Sequence, residues 1–170
     1  MRTIFRTIFA AILVALFGGF ALEANAEYTQ VNLTVFGMDC APCAHAIRVS
    51  MKGIPGVNTV DVDLNTGLVS IKLDPGNGAA MRQFNEAVEK NGFTHKDAEV
   101  VVRGQLSGTS SAPFLDVSGT QDRFALQPIA AGTDLASLLG KTVVVAGVLP
   151  RAAKGKVSGM LRYTSVAEAK

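Results

Sequence analysis

The chain has 170 residues, 48% of them hydrophobic and 18% charged. That balance excludes a disordered chain, and the length admits one domain or two small ones. A formal net charge of +2 excludes the strongly basic surface of a nucleic-acid binder or of a protein held on an anionic membrane by charge alone.

The first residues read as an export signal. Arg2 and Arg6 supply a positive start, Ile8 to Leu22 is an uncharged apolar run, and Ala24-Asn25-Ala26 has the small-x-small form of a cleavage site. The run falls short of the ~20 residues a spanning helix needs; a retained anchor is the competing reading. Residues 1–26 are therefore expected to be a signal peptide, and the mature chain to be periplasmic or secreted. Export places the two cysteines where disulfides are usual.

From Tyr28 the pattern has period two, with Val31, Leu33 and Val35 alternating against polar residues, which predicts a strand that Gly37 breaks. Then comes Gly37-Met38-Asp39-Cys40-Ala41-Pro42-Cys43, which contains both cysteines of the chain. A helix is expected from Pro42 or Cys43 to Lys52, with Ile47, Met51 and Ile54 on one face and Gly53-Ile54-Pro55-Gly56 as its stop. Val57 to Leu64, with Val60, Val62 and Leu64 inward, and Leu68 to Leu73, with Val69, Ile71 and Leu73 inward, form a hairpin around Asn65-Thr66-Gly67. Ala79 to Asn91 predicts a second helix with Phe84, Ala87 and Val88 as its apolar stripe, and Phe93 to Ala98 a short fourth strand. The order βαββαβ is the ferredoxin-like plan.

These residues resemble the heavy-metal-associated domain family. The resemblance spans residues 29–97. It rests on Gly37-Met38-x-Cys40-x-x-Cys43, Ile54-Pro55-Gly56-Val57, Val60-x-Val62-x-Leu64 and Asn91-Gly92-Phe93, in that order and at the family's spacings. It implies a metal carrier with Cys40 and Cys43 as ligands. In the family the residue at Met38 packs inward beneath the loop, and the loop of Phe93 lies beside the metal. Copper-handling members often carry Thr or His where this chain has Asp39. Modules of zinc, cadmium and lead ATPases resemble it in having Asp there.

Two thiolates on one loop suit soft cations, and near-linear Cu(I) or Hg(II) best. Zn(II) and Cd(II) are further candidates, since tetrahedral Zn(II) wants additional ligands. Asp39 is a candidate third ligand through its carboxylate; as a solvated residue or a helix cap it would have no metal role. Cys43, nearer the first helical turn, is expected to be the readier thiolate. His45, two residues on, faces about 200° away from Cys43 on a helix. His95 is read as a surface residue. Two other readings of the pair stay open: a thioredoxin-like redox couple, opposed by the lack of Trp before Cys40, and a plain disulfide, which stabilises little over so short a loop.

Residues 99–170 carry less information. Strands are expected from Glu99 to Leu106, Phe114 to Val117, Asp122 to Leu126, Lys141 to Leu149 and Met160 to Val166. A short helix is expected from Asp134 to Gly140, capped by Thr133 or Asp134. That order is the order of an OB-like barrel. Phe114 and Phe124 are read as core, and Arg151, Lys154 and Lys156 as a solvated turn. Export and the shortage of exposed aromatic platforms argue against single-stranded nucleic acid.

The sequence thus predicts an α+β protein: a ferredoxin-like domain at 27–98 followed by a small all-β OB-like barrel at 99–170. The function expected is non-enzymatic capture of one soft ion and its transfer to a metal-transporting membrane protein or another C-x-x-C carrier. A second protein partner is expected for residues 99–170. A metal-responsive adaptor and a thiol–disulfide protein are the alternatives.

Overall fold

The computed structural model describes residues 27–130 and 134–169. The expected signal peptide and Thr133 lie outside the described residues. Among those described, no helix is long and apolar enough to cross a membrane.

The first unit follows the expected plan. β1 (Glu27–Phe36), α1 (Ala41–Lys52), β2 (Val57–Asp63), β3 (Leu68–Leu73) and α2 (Met81–Lys90) lead into β4 (Thr94–Thr109). The strands pair antiparallel in the order β2-β3-β1-β4. Inward residues of β1 sit at 28, 31, 33 and 35, which breaks strict alternation once. The strand absorbs the break with a register shift between Tyr28 and Gln30 against β4, and a bulge of this kind restores the inward phase. Ile47 and Met51 of α1 and Phe84 and Val88 of α2 are fully buried. They share one core with Val31, Leu33 and Val35, and Phe84 meets Tyr28 edge-on at 6.4 Å between ring centroids. Burying side chains of this size stabilises by about 1.5–3 kcal/mol each. Leu64, expected inward, is instead 41% exposed. Asp63 accepts hydrogen bonds from the Asn65 N–H and the Thr66 hydroxyl, which closes the turn and lifts Leu64 out of β2.

The fourth strand is not short. β4 runs 16 residues, well beyond the usual ~5–6, and passes through the expected boundary at residue 98 without a break. Its buried positions Ala98, Val100, Val102 and Leu106 stay in phase, and no turn residues intervene, so nothing ends the strand there. Its first half pairs with β1 and its second half with β5 (Ala112–Asp116), while β7 (Thr142–Leu149) lies along its other edge. β5 pairs with β6 (Arg123–Pro128), β6 runs parallel to β8 (Met160–Glu168), and β8 returns antiparallel to β7. The pairings β4-β5-β6-β8-β7 therefore close into a circuit, which removes the free edges these strands would otherwise present. Gly104 sits where β4 passes from β1 to β5. A Cβ there would lie 2.7 Å from the Asp116 carbonyl oxygen and 2.9 Å from the Leu115 side chain, too close for any residue with a side chain.

Two expectations for this half need correction. The helix from Asp134 to Gly140 is only a 3-10 turn, Ala136–Leu138. The Asp134 carboxylate accepts from the Ala136 N–H, and Gly140 then turns the chain into β7 before a second turn can form. Phe114 is half-buried, not core: the Arg123 guanidinium lies 4.5 Å from its ring centroid and covers the outer face. Phe124 is buried as expected.

A polar clasp joins the two halves. Ala80 precedes α2 and has no side-chain acceptor for the helix's free N–H groups; Gln83 turns back to accept from the Ala80 N–H at 2.8 Å. The Met81 N–H instead donates at 2.8 Å to Asp122, from the β5–β6 loop. The same carboxylate oxygen accepts the Tyr28 hydroxyl at 2.7 Å. Burial first, and then the Asp122 charge and hydrogen bond, push the Tyr28 phenol well above its ordinary value of 10.0.

Asp122→Ala removes a cap and a buried hydrogen-bond acceptor together. It is expected to cost about 1–3 kcal/mol in chemical denaturation. The raised Tyr28 value sets the sign of an alkaline effect. The stability linked to the neutral phenol is complete below about pH 10 and falls as pH rises from there towards the folded-state value. Tyr28→Phe should flatten that alkaline loss in a denaturation series across pH 9 to 12, at the cost of one hydrogen bond near neutrality.

Candidate metal site

The motif occupies one end of the first sheet. The end of β1, the β2–β3 turn and the start of β4 meet there, with the Val35 N–H donating to the Gly67 carbonyl at 2.8 Å and Phe36 paired with Thr94. Gly37, at φ +80°, turns the chain out of β1, a conformation that residues with a Cβ rarely adopt. Its open side faces Phe93, whose ring would lie 3.7 Å from a Cβ at that position. Met38 then drops into the core at 2% exposure and pins the loop from beneath, as the family resemblance implies.

Cys40 is the N-cap of α1. Its sulfur accepts the Cys43 N–H at 3.2 Å, and its carbonyl accepts the Ala44 N–H at 3.0 Å. Pro42 falls in the first turn, where a missing N–H breaks no helical bond. Cys43, half-buried, rests against the core. The two cysteines are joined as a disulfide, with Cα atoms 5.1 Å apart. Both sulfurs lie at the positive end of the helix dipole, which favours thiolates over thiols once the bond is open. The direct N–H contact goes to Cys40.

Asp39 is exposed next to this pair. Among the described residues no three His, Cys, Asp or Glu side chains gather as a metal-holding group, so Asp39 does not close on the sulfurs in this arrangement. His45 is exposed on α1. His95, expected at the surface, is only 5% exposed. Its Nδ1 lies 2.6 Å from the Lys96 carbonyl oxygen, and residues of the segment after β7 line the same small cavity. Around the motif, Phe36, Leu64 and Leu68 are large apolar side chains left substantially exposed, with the Lys96 ammonium 5.1 Å from the Phe36 ring centroid. The sequence did not reveal Asp122; the one available sign was an α2 start that lacks a capping residue of its own.

The heavy-metal-associated domain family matches residues 32–94. The copper chaperone CopZ of Staphylococcus aureus is 35% identical over 65 residues, which cover 38% of this chain and 94% of CopZ. Among solved structures, a CopZ metallochaperone is 34% identical and covers 39% of this chain and 98% of its own, with a TM-score of 0.37. Oxidised MerP from Ralstonia metallidurans CH34 is 23% identical and covers 43% of this chain and 96% of its own, also with a TM-score of 0.37. The chain belongs to the heavy-metal-associated domain family, through its first unit.

Met38 is expected to act through packing beneath the loop. Met38→Ala should cost about 2–5 kcal/mol in chemical denaturation, while Met38→Leu should stay within about 1.5 kcal/mol of the parent. Equal losses for the two variants would show that packing is not what Met38 supplies.

Proposed function

We propose that this chain is an exported, non-enzymatic carrier of one soft metal ion, taken between Cys40 and Cys43 and passed on by thiolate exchange. Cu(I) or Hg(II) is the favoured cargo, with Zn(II) and Cd(II) as further candidates. The observation that carries the reading is the placement of both sulfurs at the solvent-facing start of α1, on a loop held by Gly37 and Met38. Membership of the family and the likeness to a copper chaperone support it. Export rests on the sequence of residues 1–26 alone.

Before the pair can hold an ion, an external dithiol must reduce the disulfide by thiol–disulfide exchange, itself becoming oxidised to a disulfide. The dithiol of Cys40 and Cys43 then loses its protons as it binds the metal. A two-sulfur site leaves the ion open to a third thiolate. A partner with its own C-x-x-C pair, such as a metal-transporting membrane protein, can enter through that opening and take the ion in steps. Asp39 adds an oxygen within reach of a borderline cation if the loop moves, so its role is proposed for Zn(II) and Cd(II) and not for Cu(I).

We read residues 99–170 as an OB-like barrel. The circuit β4-β5-β6-β8-β7, the parallel β6–β8 pair and the 3-10 turn before β7 support that reading. The continuity of β4 through both units favours a second reading of the whole chain, an adaptor in which the state of the metal loop alters a protein contact made by the barrel.

Competition titration of the reduced protein tests the proposal. Cys40→Ser and Cys43→Ser should each weaken Cu(I) binding by more than about 100-fold, beyond what loss of a supporting residue causes. Asp39→Ala should weaken Zn(II) about tenfold and leave Cu(I) unchanged. Binding that is indifferent to both cysteines would end the carrier reading. Insulin reduction by the metal-free protein well above the uncatalysed rate would replace it with a thiol–disulfide role.

A further inference from the structure

Next to the motif loop lies a second concavity, built by both units. It measures about 150 Å³ and is lined by Glu89, Phe93, Thr94 and His95 of the first unit and by Arg151 and Lys154 of the segment between β7 and β8. Phe93 is its shared wall, since the same ring packs against Gly37 at the start of the motif.

The segment that brings Arg151 and Lys154 here is tied down by its backbone. The Arg151 N–H donates to Asp97 at 2.9 Å, and the Gly155 N–H donates to the Glu89 carboxylate at 3.2 and 3.4 Å. The Lys156 carbonyl accepts from the Asn85 side chain at 3.3 Å. Asp97 is held by the Arg151 N–H and by the Arg162 guanidinium at 3.4 Å, while Glu89 accepts the Gly155 N–H and keeps its charge, so the lining sets two cations against one carboxylate. The Arg151 and Lys154 side chains, in contrast, are exposed. Neither forms an ion pair among the described residues, where five pairs are made by other cations. Two free cations held on a fixed loop, over a concavity with an aromatic wall, form a receptor for a carboxylate. The backbone of the loop is already ordered by these bonds, so binding has only the two side chains left to immobilise.

We infer that this concavity is a docking site for an acidic side chain on the surface of the protein that exchanges metal with Cys40 and Cys43. It rests on the carrier reading for the identity of that partner, but not for the existence of the site. The size and charge favour this occupant. A concavity of 150 Å³ accepts a carboxylate side chain. A lipid surface or a nucleic-acid backbone instead requires an extended cationic face, which a chain of net charge +2 does not provide. Contacts of this kind act mainly on encounter rate and on the choice of partner.

The test is an amide-shift titration of the full oxidised chain with a capped oligoglutamate peptide at low ionic strength, with oligoglutamine as the neutral control. The inference predicts saturable shifts at Phe93, Thr94, Arg151 and Lys154 with oligoglutamate only, weakening as salt is added. Arg151→Glu with Lys154→Glu should weaken binding at least tenfold, and the milder Arg151→Gln with Lys154→Gln should do so in part. Shifts spread evenly over Arg48, Lys72 and the other surface cations would overturn it. So would binding unchanged in both double variants, or displacement of the peptide by phosphatidylglycerol vesicles through the same residues. Cu(I) competition on the same variants separates the two proposals. Both double variants should keep the parent's Cu(I) affinity, and Cys40→Ser should keep the parent's peptide binding. Failure of Cys-dependent Cu(I) binding would sink the carrier reading and leave the peptide result standing.

Discussion

β4 is the constraint on which the rest of the molecule depends. One 16-residue strand carries β1 on part of one edge, β5 on the remainder and β7 on the other edge. Because strand side chains alternate strictly, keeping Ala98, Val100, Val102 and Leu106 in phase commits both units to the same face of the same strand. Their cores consequently merge into a single cluster. A one-residue slip on either side would turn buried valines outward in both units at once, so each unit fixes the register of the other.

The same strand controls the surroundings of the motif loop. Its first residues, Thr94 and His95, pair with the end of β1, from which Gly37 and Met38 depart. Its middle residues pair with β7, whose end delivers Arg151 beside Phe93. The cysteine loop and the cationic segment are far apart in sequence, yet the pairing of one strand puts them on either side of one aromatic ring. Asp122 adds a second tie, since a single carboxylate from the β5–β6 loop caps α2 and holds Tyr28 of β1.

What could be read from the sequence was what repeats locally. The alternation of Val31, Leu33 and Val35, the helical spacing of Ile47, Met51 and Ile54, and the turn at Asn65-Thr66-Gly67 each declare an element within a few residues. The motif and its flanking signatures placed Met38 beneath the loop and both cysteines at the start of a helix. Two of the misplacements depend on a contact outside the local pattern. His95 is buried beside a segment more than fifty residues later in the chain, and Phe114 is shielded by Arg123 from the neighbouring strand. The boundary at residue 98 was drawn where one family resemblance ended, although the alternation itself continued. Leu64 is the local exception: Asp63 had two possible roles, strand residue or turn acceptor, and hydrogen bonds from Asn65 and Thr66 decided between them.

The division of charge follows from these contacts. Overall the chain is close to neutral, so long-range attraction to any partner is weak, and orientation must come from particular groups. On the motif side of the molecule, Asp63 closes a turn, and Glu89 and Asp97 hold the segment after β7. Lys96 lies over Phe36, and Arg151 and Lys154 face solvent. Folding thus engages these carboxylates while Asp39 stays exposed in the motif, and it leaves Arg151 and Lys154 as unpaired cations that favour an approaching acidic protein surface.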